Sequence, residues 1–179
     1  RSTCVLFGDG AGAAVVCASD EDYGVQKTFL GADGSSGHCL TILNQDQSEE
    51  EMAKRISKIP STLYMDGSEV FKFAVKTMSS ASKHLMEMCG KTTDDIDLLI
   101  PHQANVRILE SARKRLKLSE DKVMNVVKDF GNISSACIPI ALCEASAQGR
   151  IKDGDNVVLV GFGGGLTWAS ALIKWKEIK

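Results

Sequence analysis

Three short stretches of this sequence carry residues whose types and spacing could do chemistry. His102 follows an apolar run at residues 96–100 and precedes a helical pattern, the place where open α/β sheets carry their sites. A helix N-terminus beside the ring would favour neutral imidazole, which can donate one hydrogen bond to an oxygen gaining negative charge. Asn132 stands between Gly131 and a Ser-rich helix start, and its carboxamide is a second uncharged donor. Two donors aimed at one carbonyl oxygen would stabilise an enolate, by roughly 3 kcal/mol each on the scale of oxyanion holes. Gly163, Gly164 and Gly165 lie between two strand patterns, and glycines let a backbone N–H approach a substrate closely. Each stretch also has a plain structural explanation: a core histidine, an Asx turn or helix cap, a tight turn. On spacing alone those explanations stand beside the chemical ones.

The pattern after His102 adds a surface. At 100° per residue Ile108, Leu109, Ala112 and Leu116 fall on one side of a helix reaching about Leu118. Arg107 and Lys114, seven residues apart, point to the other side with Gln103 near them. A solvated face explains this; a basic site for an acidic partner beside the histidine is the sharper reading. The run Gly8-Asp9-Gly10-Ala11-Gly12 reads as a tight connection whose glycines supply positive φ. A phosphate cradle fits it poorly, since no Lys-Ser/Thr follows and the next pattern is a strand.

The elements that must position these residues follow from periodicity. Residues 3–7, 13–17, 25–30, 96–100, 123–127, 156–162 and 166–175 read as strands. Phe71, Ala74, Val75, Met78, Ala81, Leu85 and Met88 follow helical spacing, with Asp66 and Glu69 spaced as a capping box and Gly90 as the stop. A small-residue helix runs to Gln148, its regular stretch beginning near Pro139. Residues 44–58 are polar and read as a solvated excursion. Strands alternating with helices, closed by two strands, give an α/β class with a mixed β-sheet and helices on both faces.

Composition narrows the function classes. The chain of 179 residues is 44% hydrophobic and 25% charged, ordinary globular usage. A net charge of −2 supplies no global basic field for nucleic acid, and no apolar run approaches the roughly 20 residues of a membrane span. No stretch reads as a secretory leader, and the chain opens inside a strand pattern without Met, which suggests a fragment. The six cysteines (Cys4, Cys17, Cys39, Cys89, Cys137, Cys143) lack C-x-x-C spacing. They lie mostly in apolar runs and are expected to be buried free thiols of a reducing compartment, with zinc or disulfides as the alternatives.

Five runs then define a family pattern: 7–14 (FGDGAGAA), 65–72 (MDGSEVFK), 101–107 (PHQANVR), 131–136 (GNISSA) and 162–168 (FGGGLTW). In this order and spacing, across almost the whole chain, they resemble β-ketoacyl-acyl-carrier-protein synthase III of the thiolase superfamily. The resemblance implies that residues 1–179 form the C-terminal half of a thiolase-like fold, with 1–20 as connecting strands from the first half. It implies decarboxylative condensation of an acyl-CoA, acetyl-CoA first, with malonyl-acyl-carrier protein to give 3-oxoacyl-acyl-carrier protein. His102 and Asn132 match the donors to the malonyl thioester, and Gly164 the oxyanion amide. Gln103, Ala104, Asn105, Val106 and Arg107, with Lys114 beyond them, match the carrier-binding stretch. Arg1, Gly67 and Asn105 match positions around the CoA pantetheine and adenine. The expected substrates are CoA and phosphopantetheine thioesters, with no metal or further cofactor. The expected setting is a homodimer in the cytoplasm or plastid stroma.

The His/Asn pair separates this pattern from the His/His of elongating synthases and the second Cys of thiolases. The family's nucleophilic Cys matches none of the six cysteines and is expected upstream of Arg1, so the isolated chain is expected to be inactive. Residues 44–60 look like an insertion relative to compact bacterial members. A specialised polyketide-type condensing enzyme and a non-catalytic folded interaction module remain the alternatives.

Overall fold

Leu98, Leu99 and Ile100 are apolar at consecutive positions, so this strand needs cover on both faces. The structure, a computed structural model describing residues 3–42 and 62–177, provides that cover. Strand β1 (Gly24–Ala32) leads to a 3₁₀ segment at Gly34–Cys39 and to β2 (Leu40–Ile42). Then follow β3 (Leu63–Met65), α1 (Gly67–Met88), β4 (Leu98–Pro101), α2 (Val106–Leu116) and α3 (Val127–Phe130). The chain closes with α4 (Cys137–Ala147), β5 (Asn156–Gly163) and β6 (Thr167–Lys174). One sheet has the order β1-β6-β5-β4, with β4 parallel to β5 and the other two pairings antiparallel. β2 and β3 form a separate antiparallel pair.

Alternation along the central strands divides the core in two. Leu99, Val158, Val160 and Leu172 pack against α1 and α2 through Ala74, Met78, Leu85, Ile108 and Leu116. Leu98, Ile100 and Val157 pack on the other face with Met124, Val126 and the α4 residues Ala141 and Ala145. The mixed sheet with helices on both faces is therefore as the sequence implied.

Helix α1 begins where Asp66 accepts the N–H groups of Ser68 and Glu69. The reciprocal half of a capping box is not made: Asp66 N–H donates to Cys39 O, and the Glu69 carboxylate pairs instead with Lys72 at 2.7 Å. Gly90 ends the helix at φ +67°.

Several expectations change. Residues 3–7 and 13–17 are not strands. A strand needs a neighbour for its N–H and C=O groups, and Phe7 alone meets one, bridging Asn132; Val15 and Val16 stand exposed. Residues 123–127 make a single bridge, Val123 to Leu99, before turning into α3. Gly8 and Gly12 are needed for close approach rather than positive φ: an added Cβ would lie 2.5 Å from Phe130 O and from Pro139 Cγ respectively. The thiols also divide differently, with Cys39 and Cys137 buried, Cys89 half-buried, and Cys4, Cys17 and Cys143 exposed; none forms a disulfide. The polar stretch 44–58 and the proposed insertion 44–60 lie outside the described residues.

Candidate active site

The parallel register that pairs Pro101 with Val160 continues one residue further, where His102 N–H donates to Val160 O at 2.7 Å. That bond fixes the His102 backbone at the carboxyl end of the sheet. Its ring meets Phe162 edge-on, with centroids 5.3 Å apart and planes at 78°. A Cβ added at Gly161 would make only ordinary contacts, 3.4 Å from Ile138 Cδ1 and 3.9 Å from His102 Cβ.

Burial lowers the His102 pKa to about 4, so the imidazole is neutral near pH 7. The helix terminus lies further along the chain than expected. Helix α2 does not start at His102 but four residues later, with Asn105 as its cap accepting Ile108 N–H at 2.9 Å. Desolvation by burial keeps the ring uncharged.

Asn132 is held from three directions. Its N–H donates to Leu6 O and its carbonyl accepts Gly8 N–H, both at 3.0 Å. Its Oδ1 accepts Ser134 N–H at 3.0 Å in an Asx turn. The structural and chemical readings of Asn132 thus coexist: the turn occupies the oxygen, and Nδ2 has no hydrogen-bond partner among the described residues. Gly164 sits in the turn between β5 and β6, its carbonyl accepting Thr167 Oγ1 at 3.2 Å. A Cβ at 164 would press to 3.0 Å from Leu40 O.

His102, Asn132 and Gly164 line one cavity of about 1070 Å³, with Gly67, Ala104 and Asn105 also on its wall. Most of the remaining wall is apolar, including Leu30, Met65, Phe71, Ile138 and Trp168. Such a site weakens competition from water and strengthens any hydrogen bond to a developing anion. No group of three or more His, Cys, Asp or Glu side chains suited to a metal occurs among the described residues.

The set expected to meet a carrier is only partly brought together. Arg107 is exposed, with its guanidinium 5.9 Å from the ring centre of Phe71 at the cavity edge. Val106 is also exposed. Lys114 lies two turns along α2 and is engaged by Glu110 at 3.2 Å, a carboxylate that also binds Arg113. Gln103 does not share this face: its side chain is fully buried, because the segment 102–105 is a turn and not the first turn of α2. Arg1 lies outside the described residues. At Gly67 an added Cβ would meet nothing within 4 Å, so no steric need for glycine appears there.

Phe162 and Ser134 carry roles that the sequence reading did not give them. Phe162 was legible: Val158, Val160 and Phe162 keep a period of two that ends beside His102. Ser134, at φ +54°, gave no such signal.

A model described as "3-Oxoacyl-[acyl-carrier-protein (ACP)] synthase III C terminal" matches residues 86–175, and one for "3-Oxoacyl-[acyl-carrier-protein (ACP)] synthase III" matches 1–34. The chain is 52% identical to β-ketoacyl-[acyl-carrier-protein] synthase III of Caldanaerobacter subterraneus, over 99% of this chain and 54% of that protein. Its structure is similar to the β-ketoacyl-[acyl carrier protein] synthase III of Thermus thermophilus, with a TM-score of 0.90, 46% identity, and 99% and 54% of the two chains covered. A priming β-ketosynthase of the R1128 polyketide pathway gives a TM-score of 0.81 and 36% identity over 97% and 51%. The chain spans about half the length of the relatives it matches.

Proposed function

The chain belongs to the 3-oxoacyl-[acyl-carrier-protein] synthase III family, and from that premise we propose that it forms the decarboxylating half of a condensing enzyme. The reaction is condensation of an acyl-CoA, acetyl-CoA first, with malonyl-acyl-carrier protein, giving 3-oxoacyl-acyl-carrier protein, carbon dioxide and free CoA. A Cys-bearing half carries the acyl group as a thioester. The malonyl thioester then loses its carboxylate: the C–C bond breaks and its electron pair moves through the α-carbon onto the thioester oxygen. His102 and Asn132 donate hydrogen bonds to that oxygen. The enolate carbon attacks the acyl-Cys carbonyl, and the Cys thiolate leaves. The electrophile is a thioester throughout, so CoA and phosphopantetheine thioesters suffice without metal or further cofactor. Arg107 at the cavity edge would meet the acidic carrier. A cytoplasmic homodimer is the assembly proposed.

One observation carries this reading: two uncharged donors, His102 and Asn132, face one largely apolar cavity, with the Asn132 oxygen already engaged. In the full-length protein, His102→Ala and Asn132→Ala should each lower malonyl decarboxylation roughly 10²-fold or more while sparing acylation of the Cys. A variant that lost Cys acylation yet decarboxylated normally would refute the role assignment. The polyketide priming enzyme, at 36% identity, favours a second reading in which the same condensation starts another pathway. Its lower identity than the 52% relative puts it second, and rates with acetyl-CoA against longer acyl-CoAs would separate the two.

A further inference from the structure

Gln103 is the one large polar side chain among the fully buried described residues, and it stands next to His102. Its Nε2 donates to Pro101 O at 2.7 Å and to Met124 O at 3.2 Å, while its Oε1 accepts Val126 N–H at 2.8 Å. Two carbonyls on one side and an N–H on the other admit a single orientation of the amide.

These bonds join two pieces of backbone that meet beyond the point where Met124 N–H donates to Leu99 O of β4 at 2.9 Å. One is the turn after β4 that carries His102; the other is residues 124–126, which run through α3 to Asn132. The buried Cys137 Sγ lies at the same junction, 3.9 Å from both Gln103 O and Asn132 Oδ1. The His102 ring makes no hydrogen bond to a described residue, so its aim depends on the backbone beneath it and on Phe162.

We propose that Gln103 is a positioning residue of the condensation, fixing the His102 turn against the segment leading to Asn132, and not a contact for the carrier. This rests on the decarboxylation reading above. Both donors must reach one oxygen, and a shift of about 1 Å between reacting groups can cost about 10²-fold in rate.

The test uses the full-length protein, with kcat and KM for decarboxylation of malonyl-carrier and malonyl-CoA, and the rate of Cys acylation by acetyl-CoA. Gln103→Met keeps length and removes all three bonds; kcat should fall about 10²-fold on both malonyl donors. KM for the carrier should stay within about twofold and Cys acylation near the parent rate, because carrier docking and acylation do not use this junction. Gln103→Glu should recover most of kcat, since a carboxyl buried between two carbonyls stays protonated and regains one donor. If Gln103→Met does not fold, the kcat and KM of Gln103→Glu against the parent decide, a modest loss confined to kcat being expected. A raised KM for malonyl-carrier with malonyl-CoA kinetics intact would make Gln103 a carrier contact and overturn the proposal. Unchanged kcat in both variants, or an equal loss of Cys acylation, would overturn it too. His102→Ala in the same assay separates the failures: normal decarboxylation there sinks the functional reading itself, whereas its loss beside parent-like Gln103 variants sinks only the positioning role.

Discussion

Phe162 stands edge-on to His102 at 5.3 Å, covering the imidazole with an apolar wall at the end of the same sheet that holds its backbone. Burial takes the ring's pKa from 6.5 to about 4, and no charged side chain contributes to that shift. A base with a depressed folded pKa leaves the unfolded chain holding the extra proton between the two values. Its contribution to stability is therefore complete above about pH 6.5 and is lost as pH falls towards 4. In the full-length protein, NMR titration of His102 should give a midpoint near 4, with malonyl decarboxylation showing no acid limb near 6.5. A midpoint near 6.5 would mean that water reaches the ring.

Asn132→Asp offers a stricter test than removal of the side chain. The carboxylate can still accept Ser134 N–H, so the Asx turn and the thermal midpoint should change little. The Nδ2 donor disappears and a negative charge faces the developing enolate. Decarboxylation should fall by about 10² to 10³. Combined with His102→Ala, the total loss should be less than the product of the two if both donors serve one oxygen, as proposed. Multiplicative losses would assign them to separate steps.

Arg107 and Lys114 separate into unequal partners. Arg107 leans over Phe71 at the cavity edge, whereas Lys114 is already engaged by Glu110. Arg107→Glu should raise KM for malonyl-carrier strongly, since like charges across an interface cost several kcal/mol. Lys114→Glu should do markedly less, and malonyl-CoA decarboxylation should barely respond to either. Added salt should weaken carrier use by the parent, with screening over about 10 Å at 0.1 M. Equal losses on both malonyl donors would mean that Arg107 supports the channel and not docking.

Gly8 links the N-terminal glycine run to the Asn132 loop. Gly8→Ala would place a Cβ 2.5 Å from Phe130 O, a backbone atom that cannot rotate away. The expected result is a lower thermal midpoint and a decarboxylation loss larger than that of Cys acylation, because the displaced loop carries Asn132. A neutral Gly8→Ala would show that residues 6–8 do not hold that loop in solution.

Residue order alone specifies the elements whose periodicity is strong and local. Helix α1, strands β1, β5 and β6, and the apolar run of β4 appear where period and caps placed them, because burial of one stripe or of alternate residues is written in residue order. His102, Asn132 and Gly164, singled out by residue type and flanking punctuation, line one cavity in the structure. What remained undetermined depends on contacts distant in sequence. Residues 3–7 and 13–17 have strand-like composition, but a strand exists only where a neighbour takes its hydrogen bonds, and here only Phe7 finds one. Gln103 looks like a surface residue on a helical wheel, yet the helix begins at Val106 and the turn before it folds the amide into the core. The wheel assumes helical φ/ψ from residue 103, and the carbonyls of Pro101 and Met124, brought together only by packing, settle the matter differently. The same holds for the charge state of His102: its neutrality follows from burial, and the residues around it come from elements and loops far apart in the chain.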